Sequence, residues 1–296
     1  MNALSVGLAL FGGFLFGIGS VLQQKGTLEE PDTSALQVGF FVRLLKRPVW
    51  LAGFVADAAG YVAQAAALGV GKLVVVQPLM VSSVVFALPL GVWLTHQHVG
   101  RREIVGAGAV VAGLTAFMIV ANPSGGGADA RGLDWAIAGG VAGGAAAVLT
   151  AIGWRRRPAM KAALIGTAAG VLFGFVAALT KSTVVRFDDG AAAVFLDWHI
   201  YALAVAGLAG FMLVQVSLHT GALAPAITTT MVAETVVGVV VGLTLLGEEL
   251  HAEHWGLAVA AFGLLLMVLG LILLARSEGA PTFHPPEPGG RVILQE

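Results

Sequence analysis

An all-α, polytopic membrane protein of nine transmembrane helices, arranged as an inverted five-plus-four repeat, is the fold class this sequence predicts. Three observations predict it: a scarcity of charge, nine apolar stretches of spanning length, and a pattern in the first stretch that recurs in the sixth. Only 11% of the 296 residues are charged, 57% are hydrophobic, and the mean hydropathy is +0.89. Soluble domains carry about 25% charged residues. This composition excludes a water-soluble globular enzyme and a disordered chain. The net charge of −1 leaves no basic excess to meet a phosphate backbone, so no nucleic-acid partner is expected. There is no cysteine, which removes disulfides, thiolate metal sites and cysteine nucleophiles.

Crossing ~30 Å of hydrocarbon takes about 20 apolar residues. Stretches near that length run approximately over 3–23, 48–69, 73–95, 104–121, 133–153, 162–183, 198–219, 222–246 and 255–275. The first has no basic segment before its apolar run and no convincing cleavage site, so it is expected to remain in the mature protein. Nine spans put the termini on opposite faces. One set of loops then holds Lys72, Arg131, Lys181 and Arg186, and the other holds the remaining twelve of the 16 basic residues. The positive-inside rule places the N-terminus outside and the C-terminus in the cytoplasm, in the cell (inner) membrane. The outer loops also carry an acidic excess, including Asp188, Asp189, Glu248, Glu249 and Glu253.

Residues 36–47, LQVGFFVRLLKR, are too short to span and carry their charge toward one end, so they read as an interfacial helix on the inner leaflet. The tail 276–296 contains Pro281, Pro285, Pro286 and Pro288 without periodicity and is expected to be disordered.

Gly13, Leu15-Phe16-Gly17 and Leu22 in span one match Gly170, Leu172-Phe173-Gly174 and Leu179 in span six at a single offset. Pro78 then corresponds to Pro225, and Gly106 with Gly113 to Gly256 with Gly263. Five spans precede the second copy, so the halves, 1–153 and 154–275, enter the membrane from opposite faces. That is the plan of many secondary transporters, whose solute site lies between the repeats near the midplane.

The five-plus-four layout, the paired glycine-rich spans and the turn Gly247-Glu248 resemble the drug/metabolite transporter (EamA-like) superfamily. Within it the likeness is to the NIPA-like branch, associated with magnesium transport. It lies in Gly19-Ser20-Val21-Leu22-Gln23-Gln24-Lys25-Gly26, in Trp50-Leu51-Ala52-Gly53, in Ala59-Gly60-Tyr61-Val62-Ala63-Gln64, and in Leu73 to Pro78. The resemblance implies a membrane transporter rather than an enzyme, and it includes a lysine on the helix of Lys181. Two features depart from the pattern. Tyr61 stands where the branch has an acidic residue, and the usual superfamily plan has ten spans.

A carboxylate at the bilayer centre costs ~2.5–3.5 kcal/mol or more, so each one asks for a reason. Glu234 falls at the midpoint of span eight, with Thr230 one turn before it on the same face. Asp57 falls near the middle of span two, and Tyr61 and Gln64 follow at i+4 and i+7 to make one polar stripe. Both acids should face protein or water, either as a proton or cation site or as buried acids bonded to a neighbouring helix. Gln23, Gln24, Gln77, and Gln215 with His219 extend the groups able to line a cavity, with interhelical hydrogen bonding as the plainer reading of each. Lys181, near the outer end of span six, is either a site residue or a snorkelling lysine. His251, Glu253 and His254 have a spacing that could hold zinc if helical, although a solvated acidic turn with Glu248 and Glu249 is the simpler expectation. Gly139, Gly140, Gly143 and Gly144 give GxxxG spacing twice, suited to close packing within one chain or, less readily, to a homodimer.

No P-loop, HExxH or GxSxG occurs. The expectation is therefore a secondary carrier of a small solute, needing no cofactor beyond a coupling proton or cation. In it Glu234 or Asp57 binds the cation, while Tyr61, Gln64, Gln215 and threonines 228–230 line the cavity. A divalent cation such as Mg2+ as cargo is the alternative. A lipid-acting enzyme, which would cluster His and acids at an interface, and a structural subunit are remoter readings.

Overall fold

The computed structural model describes residues 2–28, 45–95, 100–120, 123–125, 130–218, 220, 223–250 and 254–275. Most of the expected interfacial helix at 36–47, the tail 276–296, His219, and His251 with Glu253 lie outside the described residues.

The helices are α1 (Ala3–Leu28), α2 (Pro48–Val70), α3 (Leu73–Met80), α4 (Ser82–Thr95), α5 (Arg101–Val120), α6 (Gly132–Trp154), α7 (Pro158–Val185), a short α8 (Ala191–Leu196), α9 (Trp198–Leu218), α10 (Leu223–Thr244) and α11 (His254–Ala275). Among the described residues nine stretches are long and apolar enough to cross a membrane, in agreement with the sequence expectation. Pro48 and Pro158 begin α2 and α7, where the missing N–H has no intrahelical partner to lose. At the start of α5 the Glu103 carboxylate turns back to accept the Gly100 N–H at 2.8 Å. The third span is one stretch in the sequence but two helices in the structure. Pro78 lies inside α3 and the helix gives way at Val81, whose N–H reaches only to the Pro78 and Leu79 carbonyls.

α7 is the most buried span and lies at the centre, packed by α6, α9 and α10. α1 packs on α2 and α4, and α10 meets α3. α5 and α11 cross antiparallel at bare backbone: a Cβ on Gly263 would lie 2.6 Å from the Gly113 carbonyl, and one on Gly270 2.6 Å from that of Gly106. The core runs through Leu68, Leu73, Val76, Leu79, Trp135, Ala178 and Leu179. The outside of the bundle is studded with exposed Ile119, Leu133, Val205 and Phe262, as a lipid-facing surface requires. Polypeptide crosses back at one end through β1 (Pro123–Gly125), which pairs antiparallel with β2 (Glu248–Leu250). This strand end also holds Asn2, whose amide donates to the Val70 carbonyl at 3.1 Å.

The α6 glycines depart from the expected packing within the chain. Gly139 approaches Phe175, but Gly140, Gly143 and Gly144 have nothing within 4 Å of a Cβ placed there. The reason is rotational: α6 turns Trp135, Ala142 and Ala146 inward, which leaves those three glycines on the outer face.

Candidate functional site

Between α1, α2, α3, α4, α7, α9 and α10 lies a cavity of about 500 Å3. Its polar wall is made by Asp57, Tyr61, Gln64, Gln77, Ser83, Glu234 and Thr235, and its apolar wall by side chains such as Phe16, Phe173 and Met231. The stripe predicted on α2 thus faces the cavity as a unit, because Asp57, Tyr61 and Gln64 share one side of that helix. Glu234 meets the same space from α10. The break in the third span borders it too, with Gln77, Met80, Val81 and Ser83 all in the wall.

Asp57 is held from α1. The Gln23 amide donates to its Oδ2, and the helices come close enough there that a Cβ on Gly19 would overlap the carboxylate. Oδ1 is buried with no protein partner. Gln77, 1% exposed, likewise leaves its amide nitrogen without one. Burying polar atoms unpaired costs roughly 1–3 kcal/mol each, so both residues carry an unrecovered cost beside the cavity. Tyr61 is tied to α7: Thr180 donates its hydroxyl to Val176 O at 2.8 Å, so its oxygen accepts from the Tyr61 hydroxyl at 2.7 Å.

Not every expected residue arrives here. Thr230 spends its hydroxyl on the backbone, shared between Ala226 O at 2.8 Å and Gly166 O at 3.0 Å across the α7–α10 contact. That contact is tight enough that a Cβ on Gly170 would lie 3.0 Å from the Glu234 nitrogen. Gln215 is half-buried on α9 and outside the cavity lining, and the Gln24 side chain lies outside what is described. Lys181 is not in the wall but at the strand end, where its ammonium pairs with Glu248. Glu248 reverses the expectation of a solvated acidic turn, since its side chain is fully buried. Its Oε1 accepts the Leu73 N–H and its Oε2 the Val74 N–H, each at 2.8 Å, so it serves as a remote cap for α3. Sequence reading missed Ser20, Ser83 and Thr235, small polar residues without a spacing signal. Among the described residues no group of three or more His, Asp or Glu could hold a metal ion.

A polytopic bundle with apolar outer walls and a cavity between its spans bearing two acids fits the class of membrane transporters, and comparison with known proteins agrees. The sequence model of the family described as Magnesium transporter NIPA matches residues 1–137. An uncharacterized protein of Corynebacterium glutamicum is 28% identical, covering 95% of this chain and 97% of its own length. The probable magnesium transporter NIPA9 of Arabidopsis thaliana is 26% identical over 88% of this chain and 78% of its own length. The human magnesium transporter NIPA4 is 33% identical over 39% of this chain and 29% of its own length. No solved structure matches the chain. The resemblance to the NIPA-like branch of the drug/metabolite transporter superfamily is therefore shown.

Proposed function

We propose that this chain is a secondary carrier, moving a small solute by alternating access and coupled to a proton or cation through Glu234 and Asp57. The observation that carries the reading is their convergence. Two carboxylates from different halves of the chain, each costly in lipid, line one cavity near the midplane. The packing of the halves supports it. α1 packs on the next two spans, as α7 packs on α9 and α10, while the fourth and ninth spans, α5 and α11, cross antiparallel. Inverted repeats over 1–153 and 154–275 would produce that arrangement. Gln23 holds Asp57 in the cavity wall, and Glu234 lines the same cavity. In this reading the strand end faces outward in the cell (inner) membrane, as the distribution of Lys and Arg favours. Coupled uptake into proteoliposomes should be lost in Glu234→Gln. Undiminished uptake in that variant removes the central residue of the proposal.

A second reading, Mg2+ as cargo, is favoured by what the relatives are called. Two carboxylates with retained water suit a hard dication. Mg2+ should then raise the unfolding temperature of the wild type but not of Asp57→Asn. Stabilisation by organic solutes with none by Mg2+ decides for the first reading.

A further inference from the structure

We propose that the Lys181–Glu248 pair, together with the N-terminus of α3, is the gate that closes the cavity toward the strand end. The inference rests on the carrier reading above.

The three elements that meet at Glu248 are the same ones that form the cavity wall one or two turns deeper. On α7, Phe173, Val176 and Ala177 line the cavity and Lys181 stands one turn beyond Ala177. On α3, Gln77 lines it, and Leu73 and Val74, which donate to Glu248, stand one turn before. On α10, Glu234 and Thr235 line it; outward, Gly238 abuts Gln77 and Gly242 abuts both Val74 and Glu248. One carboxylate therefore draws α3, α7 and the chain after α10 together over the solute space. The closure is buried, with Lys181 13% exposed and Glu248 wholly covered. Its bonds cap α3 and tie it to α7 across separate elements, so parting those elements breaks them. Removing the ammonium leaves a buried carboxylate without its counter-charge, held only by the Leu73 and Val74 N–H groups, which favours water entry and parting of the elements. β1 and β2 lie directly above, and Lys72, which precedes α3, donates to the Gly125 carbonyl, so the strand pair would move with the gate.

The chain contains no cysteine, so one introduced thiol reports on the cavity without background. Ser83→Cys places it in the wall. In vesicles of known sidedness, a membrane-impermeant maleimide should label this parent faster from the face opposite the strands. Adding Lys181→Met should raise labelling from the strand face about tenfold or more and lower it from the other, as expected when one of two states loses its lock. Lys181→Arg, which keeps a cation, should retain the parent pattern. Faster labelling of the parent from the strand face overturns the gate, as does unchanged sidedness in folded Lys181→Met. Equal gains from both faces also overturn it, because they report loosening rather than gating. Should Lys181→Met not fold, Glu248→Gln carries the same comparison. A parent thiol that is reached from neither face defeats the carrier reading itself, which separates the two failures.

Discussion

Two kinds of buried acid stand within a few turns of each other in this bundle. Glu248 accepts from Leu73, Val74 and Lys181, so its carboxylate is bonded on both oxygens. Asp57 has one donor, Gln23, and an oxygen left over; Glu234 shares the cavity with it. Both kinds carry the desolvation cost of burial, but only the first recovers it inside the fold. On the proposed carrier reading, saturation of the carboxylate, and not its depth, separates an acid that holds structure from one that serves the solute.

The sharpest way to break this comparison is to remove one acid of each kind and measure stability. Glu248→Ala leaves Lys181 buried without its counter-charge and uncaps α3. It should destabilise the protein by about 3–5 kcal/mol, read from denaturant or thermal unfolding in detergent. Asp57→Asn preserves shape and an acceptor for Gln23, and it should unfold near the wild-type midpoint. If Asp57→Asn costs as much as Glu248→Ala, the unsatisfied oxygen is not a ligand position and the distinction fails.

A smaller effect is expected where neither acid acts. α5 and α11 touch through bare backbone at Gly113 and Gly263, remote from the cavity lining. Gly113→Ala must push the helices apart and should cost about 1–3 kcal/mol with no change in the sidedness of cavity labelling. An altered labelling pattern in that variant would extend the moving parts beyond α3, α7 and α10.

Much of this was legible in the chain because the bilayer imposes a simple code. Length and apolarity reveal the spans, and any acid inside one stands out against them. The helical period then put Asp57, Tyr61 and Gln64 on one face, and all three reached the cavity. What could not be read depends on which elements meet. Glu248 belongs to a loop by local pattern, and its burial follows only from the approach of α3 and α7 to β2. Thr230 shares a face with Glu234 yet satisfies itself on Gly166, a partner 64 residues away. The exposure of the α6 glycines depends on the rotation of that helix, which a GxxxG spacing does not specify.

A third acid, saturated like Glu248 but outside the spans, gives the gentlest test. Asp197, just before α9, takes the Arg186 guanidinium at 2.6 Å, the backbone N–H of His199 at 2.8 Å and a contact with the His199 ring. Desolvation pushes its carboxyl up, but the His199 and Arg186 contacts outweigh this and hold it below the ordinary carboxylate range. Because the folded value is the depressed one, the stabilisation is fully present above the unfolded value, about 3.9, and is lost as pH falls through the folded value. The gap in unfolding temperature between wild type and Asp197→Asn should therefore stay constant from about pH 7 to pH 5 and shrink only below about pH 4. A gap that closes nearer neutrality would mean that the His199 and Arg186 contacts do not hold Asp197 below the ordinary range, and that a saturated carboxylate is not by itself enough to mark a structural one.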